Sequence, residues 1–151
     1  MAEGDYSNLV WDHFDHPRHA GALDERSSSV GTGLVSNPFQ GDAIKLQFEV
    51  TAQGIIAAAR FKAHGGVATL AAASLVTEWL VDKSLAEATA IDHRVIAAAL
   101  ELPAAALPAA VLAESALKAA LADYAARQYV GAVREPPLPD AAIRLKCVTR
   151  N

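Results

Sequence analysis

The feature that most restricts what this chain can fold into is a junction. An apolar segment ending near Phe61 runs into Gly65-Gly66, and a long stretch free of glycine and proline follows. Two residues without Cβ permit positive φ and a sharp reversal, so one extended element ends there and another element begins. From Val67 onward Leu70, Ala71, Ser74, Leu75, Glu78 and Trp79 recur at three- and four-residue spacing toward Lys83. This is the period of an amphipathic, largely buried helix. Whatever approaches the Gly65-Gly66 turn meets unpaired backbone N–H groups and the positive end of the helix dipole, where a metal-bound sulfur or an anion is stabilised.

The segments before the junction read as strands. Val30 to Val35 is a first short strand with glycines near its start, and Asn37-Pro38-Phe39-Gln40-Gly41-Asp42 is a turn. Ala43 to Thr51 alternates, with Ile44, Leu46, Phe48 and Val50 on one face and Lys45, Gln47 and Glu49 on the other. Ala52-Gln53-Gly54 reverses the chain, and Ile55 to Lys62 forms a third strand. The expectation is an antiparallel meander with one face for helices and one for solvent.

Helices are expected on both sides of it. Tyr6, Leu9, Val10 and His13-Phe14 have helical spacing until Pro17 closes the segment. Ser84-Leu85-Ala86-Glu87 has the form of a capping box for a short helix ending near Ile91, and Asp92 can cap another through Val95, Ile96 and Leu100. Val111 to Tyr124 is a strong helix by propensity and period. The fold class is therefore α+β, a three-stranded antiparallel sheet packed against about five helices.

Bulk composition narrows the function classes. A 52% hydrophobic chain of 151 residues is one domain with a real core. A net charge of −4, spread without single-sign blocks, gives no nucleic-acid surface and no polybasic membrane anchor. No run approaches about 18 consecutive apolar residues, and Met1-Ala2-Glu3-Gly4-Asp5 lacks the form of a signal peptide, so a cytoplasmic protein is expected. The single cysteine, Cys147, excludes an intrachain disulfide and any iron–sulfur or zinc site built from several cysteines of one chain.

Several stretches resemble one family, the IscU/NifU-type iron–sulfur cluster assembly scaffolds. Ser74-Leu75-Val76-Thr77-Glu78-Trp79 matches the family helix that follows a Tyr-Gly-Cys-Gly-Ser turn. Asp12-His13-Phe14-Asp15-His16-Pro17-Arg18-His19 is similar to its Asp-His-Tyr-x-Asn-Pro-Arg-Asn. Gly41-Asp42 matches the end of its Pro-x-Cys-Gly-Asp turn, whose cysteine is a cluster ligand and whose aspartate sits beside the cluster. Leu100-Glu101-Leu102-Pro103 resembles the loop that a dedicated chaperone grasps in cluster scaffolds. The resemblance covers about Tyr6 to Arg127 and implies an IscU-like domain over residues 1–127 with a Pro-containing extension over 128–151.

The departures carry as much meaning as the matches. At the family's cysteine positions this chain has Gln40, Gly66 and Ala109, with Pro108 where a histidine is expected. Iron–sulfur clusters are held by thiolates, so no ordinary scaffold activity is implied and no bound cofactor is the first expectation. The loop after Pro103 continues Ala104-Ala105-Ala106-Leu107, which argues against chaperone capture there. What the surviving motifs imply is protein binding, to a cysteine desulfurase or another assembly component, as a regulator, decoy or accessory, without catalysis.

Two alternatives stand beside that reading. Asp42, His64 and Cys147 supply a carboxylate, an imidazole and a thiol, from which an iron, zinc or cluster site can be built if the tail folds back. A small ligand-binding or catalytic pocket at the vacated positions is the other, although no nucleophile–base pair is apparent. His13, His16 and His19 lie three residues apart and invite a metal reading, but Pro17 breaks the helix that would stack them. Past the prolines of residues 136–139, Ile143, Leu145 and Cys147 alternate with Arg144, Lys146 and Val148, a pattern able to add a strand to a sheet edge.

Overall fold

The computed structural model describes residues 6–37 and 41–134, with side chains as far as Gln128. Its elements are α1 (Asn8–Asp15), β1 (Val30–Asn37), β2 (Asp42–Val50), β3 (Ile56–His64), α2 (Val67–Leu80), α3 (Leu85–Ala88), α4 (His93–Leu100) and α5 (Leu107–Arg134), with a 3-10 turn at Ala104–Ala106 before α5. The three strands form one antiparallel sheet in the order β1-β2-β3, as the alternation requires. Ile44, Leu46 and Phe48 are fully buried on the helix-facing side, with Val50 nearly so.

The helix caps follow the sequence closely. Ser7 accepts from the Val10 N–H at the start of α1, Ser84 and Glu87 form a reciprocal capping box on α3, and Asp92 accepts from the Arg94 and Val95 N–H groups on α4. α2 departs from the expected amphipathic form. Ala68, Thr69, Ala71 to Ala73, Ser74 to Thr77 and Leu80 are all buried, because α2 packs against α1, α4, α5, β2 and β3 together. It ends at Leu80, three residues short of Lys83, where Val81 turns extended.

α5 begins earlier than its period suggests. Pro108 sits in its first turn, where the N–H that proline lacks has no intrahelical partner in any case. The helix then runs without a break through the expected boundary at residues 127 and 128. By length and mean hydropathy the stretch Ala104–Gln128 could cross a bilayer. Its apolar stripe is instead spent on the sheet, α2 and α4. β1 approaches α5 at Gly31 and Gly33, where an added Cβ would press on the α5 backbone at Ala116 and Ala120.

The second face of the sheet is not simply open to solvent, as the polar alternation suggested. Gln47 is 1% exposed: its Oε1 accepts from the Leu23 N–H at 2.8 Å, and its Nε2 donates to Leu23 O at 3.1 Å and Thr32 Oγ1 at 3.0 Å. The connector between α1 and β1 thus straps that face, with Ala20 in a parallel bridge to Phe61 at the outer edge of β3.

Candidate functional site

The N-terminal ends of α2 and α5 converge on one small cavity. It has a volume of about 110 Å³ and is lined by Gly66, Thr69, Asp42, Ala106, Pro108 and Ala109, with Tyr6, Ala68 and Ala105 completing the wall. Gly66 is the N-cap of α2, and Ala109 lies in the first turn of α5. Two of the three positions where the resemblance places cysteines therefore face the same space, beside Asp42. Gln40 lies outside the described residues.

Asp42 is held in place from two sides. Its Oδ2 accepts a 2.9 Å hydrogen bond from Thr69 Oγ1, one turn into α2. Gly65, at φ +147°, lies directly against its carboxylate, and any Cβ there would collide with Asp42 Oδ1. Gly66 does not share this conformation: its φ is −79°, and nothing lies within 4 Å of where its Cβ would be. The expectation of positive φ belongs to Gly65 alone.

The donors that the described residues bring to the cavity do not fit a metal or a cluster. The cavity offers one carboxylate, already engaged by Thr69, among glycine, alanine and proline, where a cluster demands several thiolates. His64 sits exposed at the end of β3 and does not line the cavity. Cys147 lies outside the described residues, and of Asp42 and His64 only Asp42 lines the cavity. No group of three or more His, Cys, Asp or Glu side chains placed to hold a metal occurs among the described residues.

The three spaced histidines go separate ways. His13 is fully buried, His16 points to solvent 3.6 Å from Asp12, and His19 turns away in a left-handed conformation at φ +63°. His13 Nδ1 lies 2.7 Å from Ser74 Oγ, which also accepts from the Arg18 N–H at 2.8 Å. His13 Nε2 lies 3.3 Å from Glu78 Oε1, outside hydrogen-bond alignment. Burial and then Arg18 push the imidazole below its ordinary pKa, against the pull of Glu78 and Asp12, and keep it neutral.

This pairing of α1 with α2 was missed in the sequence. The signal was the i, i+4 placement of Ser74 and Glu78 on a helix otherwise apolar around them, opposite a histidine in an amphipathic helix.

A family model described as the NifU-like N terminal domain matches residues 5–130. The chain belongs to this family. The iron–sulfur cluster assembly scaffold protein IscU of Haemophilus influenzae is 49% identical over 123 residues, 82% of this chain and 98% of its own length. The scaffold of the same name from Escherichia coli K12 is 47% identical over 123 residues, 82% of this chain and 96% of its own length. Among solved structures, a putative iron–sulfur cluster assembly scaffold protein for the SUF system from Fervidobacterium islandicum shares the fold. It matches with a TM-score of 0.61 at 18% identity, over 80% of this chain and 99% of that one. This NifU-like chain thus keeps the three-stranded sheet and helices of its family around a cavity without thiols among the described residues.

Proposed function

We propose that the protein works in iron–sulfur cluster assembly by binding another protein of that process, as a regulator, decoy or accessory of a cysteine desulfurase or related machinery, and not as a thiolate-ligated scaffold. The observation that carries this reading is the cavity itself. Gly66 and Ala109 face it where ligands are expected, and its carboxylate is hydrogen-bonded to Thr69. The named activity of close relatives supports a place in cluster assembly, and a cavity with one carboxylate and no thiol among the described residues supports a role other than holding a cluster.

The test is co-purification of the full chain with purified cysteine desulfurase and with other assembly components, with and without a chelator. A complex that persists in chelator is the expected result. Absence of any complex across these components overturns the proposal. Elemental analysis and a visible spectrum of anaerobically purified protein address the competing reading, a carrier using Asp42, His64 and Cys147. A stoichiometric metal or a coloured sample would favour that reading instead.

A further inference from the structure

Both edges of the sheet are met only in part by the chain itself. At β3 the outward groups of Ile56 and Phe61 are met by the chain itself, while those of Ala63 meet no partner among the described residues. Phe61 donates its N–H to His19 O at 3.1 Å and accepts from the Gly21 N–H at 2.9 Å, while Ile56 exchanges 2.8 Å bonds with Lys83 and Asp82. At β1 the Val50 N–H donates to Ser29 O at 2.9 Å, which sets the odd-numbered residues toward β2 and leaves Val30, Thr32, Leu34 and Ser36 facing outward. Val30 N–H is satisfied by Ser27 O at 3.1 Å, and Thr32 N–H by Asp123 Oδ2 at 2.9 Å. The outward main-chain groups of Leu34 and Ser36 meet no partner among the described residues.

That open half of the edge is also apolar. Leu34 is 69% exposed, on the face of the sheet away from α5. Beside the edge a groove of about 500 Å³ runs between the end of β1 and the first turns of α5, lined by Ser36, Leu107, Pro108, Val111 and Leu112 among others. Leu107 and Val111 are themselves exposed. An uncovered strand edge with apolar surface next to it is a template for another strand.

We propose that the occupant is the chain's own segment 143–148, added as a fourth strand parallel to β1, with Ile143, Leu145 and Cys147 turned into the groove. Direction and length both favour it. α5 runs antiparallel to β1: Gln128 donates to Ser28 O at one end, and Pro108 and Val111 share the groove with Ser36 and Asn37 at the other. A chain leaving α5 therefore returns along β1 from its Val30 end toward Asn37.

From Gln128 to Arg134 the helix advances about 9 Å. The way back from Ser28 to Leu34 is about 20 Å along β1. Extended chain from Arg134 to Leu145 spans up to about 36 Å, so Leu145 reaches Leu34 with length to spare. Pro136-Pro137-Leu138-Pro139 supplies the stiff, extended run such a return needs. The alternation from Ile143 to Val148 gives the added strand one apolar face.

The experiment is residue-resolved amide hydrogen exchange on the full-length protein and on full-length Leu145→Pro, which removes a strand donor without touching the described fold. The Leu34 and Ser36 amides should exchange at least about tenfold more slowly in the wild type than in the variant, while Gly33 and Val35, bonded to β2, stay the same in both. In a second full-length variant, Asn37→Cys, on the groove side of β1, oxidised glutathione should yield a monomer with an intramolecular Cys147 link, read by mass spectrometry of the joined peptides. Equal exchange of Leu34 and Ser36 in the two proteins overturns the proposal. So does protection that disappears on dilution together with a dimer, which would assign the edge to a second copy, or disulfides that form only between chains.

Discussion

Gly65 and Gly66 are neighbours with different obligations. Gly65 needs its missing Cβ twice, for φ +147° and for the Asp42 carboxylate packed against it, whereas Gly66 is in extended backbone with free space around it. Gly65→Ala should therefore cost about 1–3 kcal/mol, and Gly66→Ala only the N-cap preference of glycine over alanine, about 0.5 kcal/mol, in urea unfolding. Equal effects would mean that the turn is not built as described. The sequence announced a turn here, but two adjacent glycines say nothing about which one takes the left-handed region. His13 has a similar lesson: its spacing from His16 and His19 was visible, while its burial against Ser74 was set by how α1 crosses α2.

At the scale of elements, period and caps carried most of the information. The alternation of Ile44 to Val50, the Ser84–Glu87 box and the Asp92 cap all appear where local chemistry demands them. The strap over the second face of the sheet was illegible, because Gln47 at a polar position looks the same whether water or Leu23 satisfies its amide. The start of α5 was misplaced because proline ends a helix from inside yet suits its first turn. Of the site, Asp42, Gly66 and Ala109 were legible as neighbours only through the resemblance, and Thr69 as the partner of Asp42 not at all.

The meeting of the α2 and α5 N-termini gives the restored site a definite expectation. Gly66→Cys and Ala109→Cys place two thiolates beside Asp42, with both helix dipoles favouring their charge, and Gln40→Cys restores the third cysteine of the family pattern. Gly66 accepts the new side chain without strain, and Ala109 already lines the space. The triple variant should take up one equivalent of zinc by elemental analysis with an unchanged circular dichroism spectrum. A folded variant that takes up none would show that the backbone around residue 40 no longer points there.

Over the whole molecule, one carboxylate ties the late helices together and sets a pH limit. Glu114 on α5 accepts from the His93 N–H and lies 2.7 Å from His93 Nδ1 at the start of α4, and it pairs with Lys118 one turn along α5. The Lys118 hydrogen bond, with those of His93, lowers its pKa from 4.5 to about 2 against the opposing effect of burial. A folded-state value below the unfolded one adds stability above about pH 4.5 that disappears as pH falls toward 2, on the order of 2 kcal/mol after screening at the exposed Lys118. Glu114→Gln should thus be less stable than wild type in urea at pH 7, with the gap closing by about pH 2.5. A gap independent of pH would assign the effect to packing instead.

The seam between β1 and α5 has a consequence of another kind. Gly31 and Gly33 bring main chain against main chain, with Ala116, Ala120 and Tyr124 leaving no room for even a methyl group. In a saturation-mutagenesis map these two positions would stand out as sharply as an active site, although neither lines the cavity. Intolerance to substitution in this chain thus locates the join between its first strand and its last helix, and a search for chemistry guided by intolerance alone would begin in the wrong place.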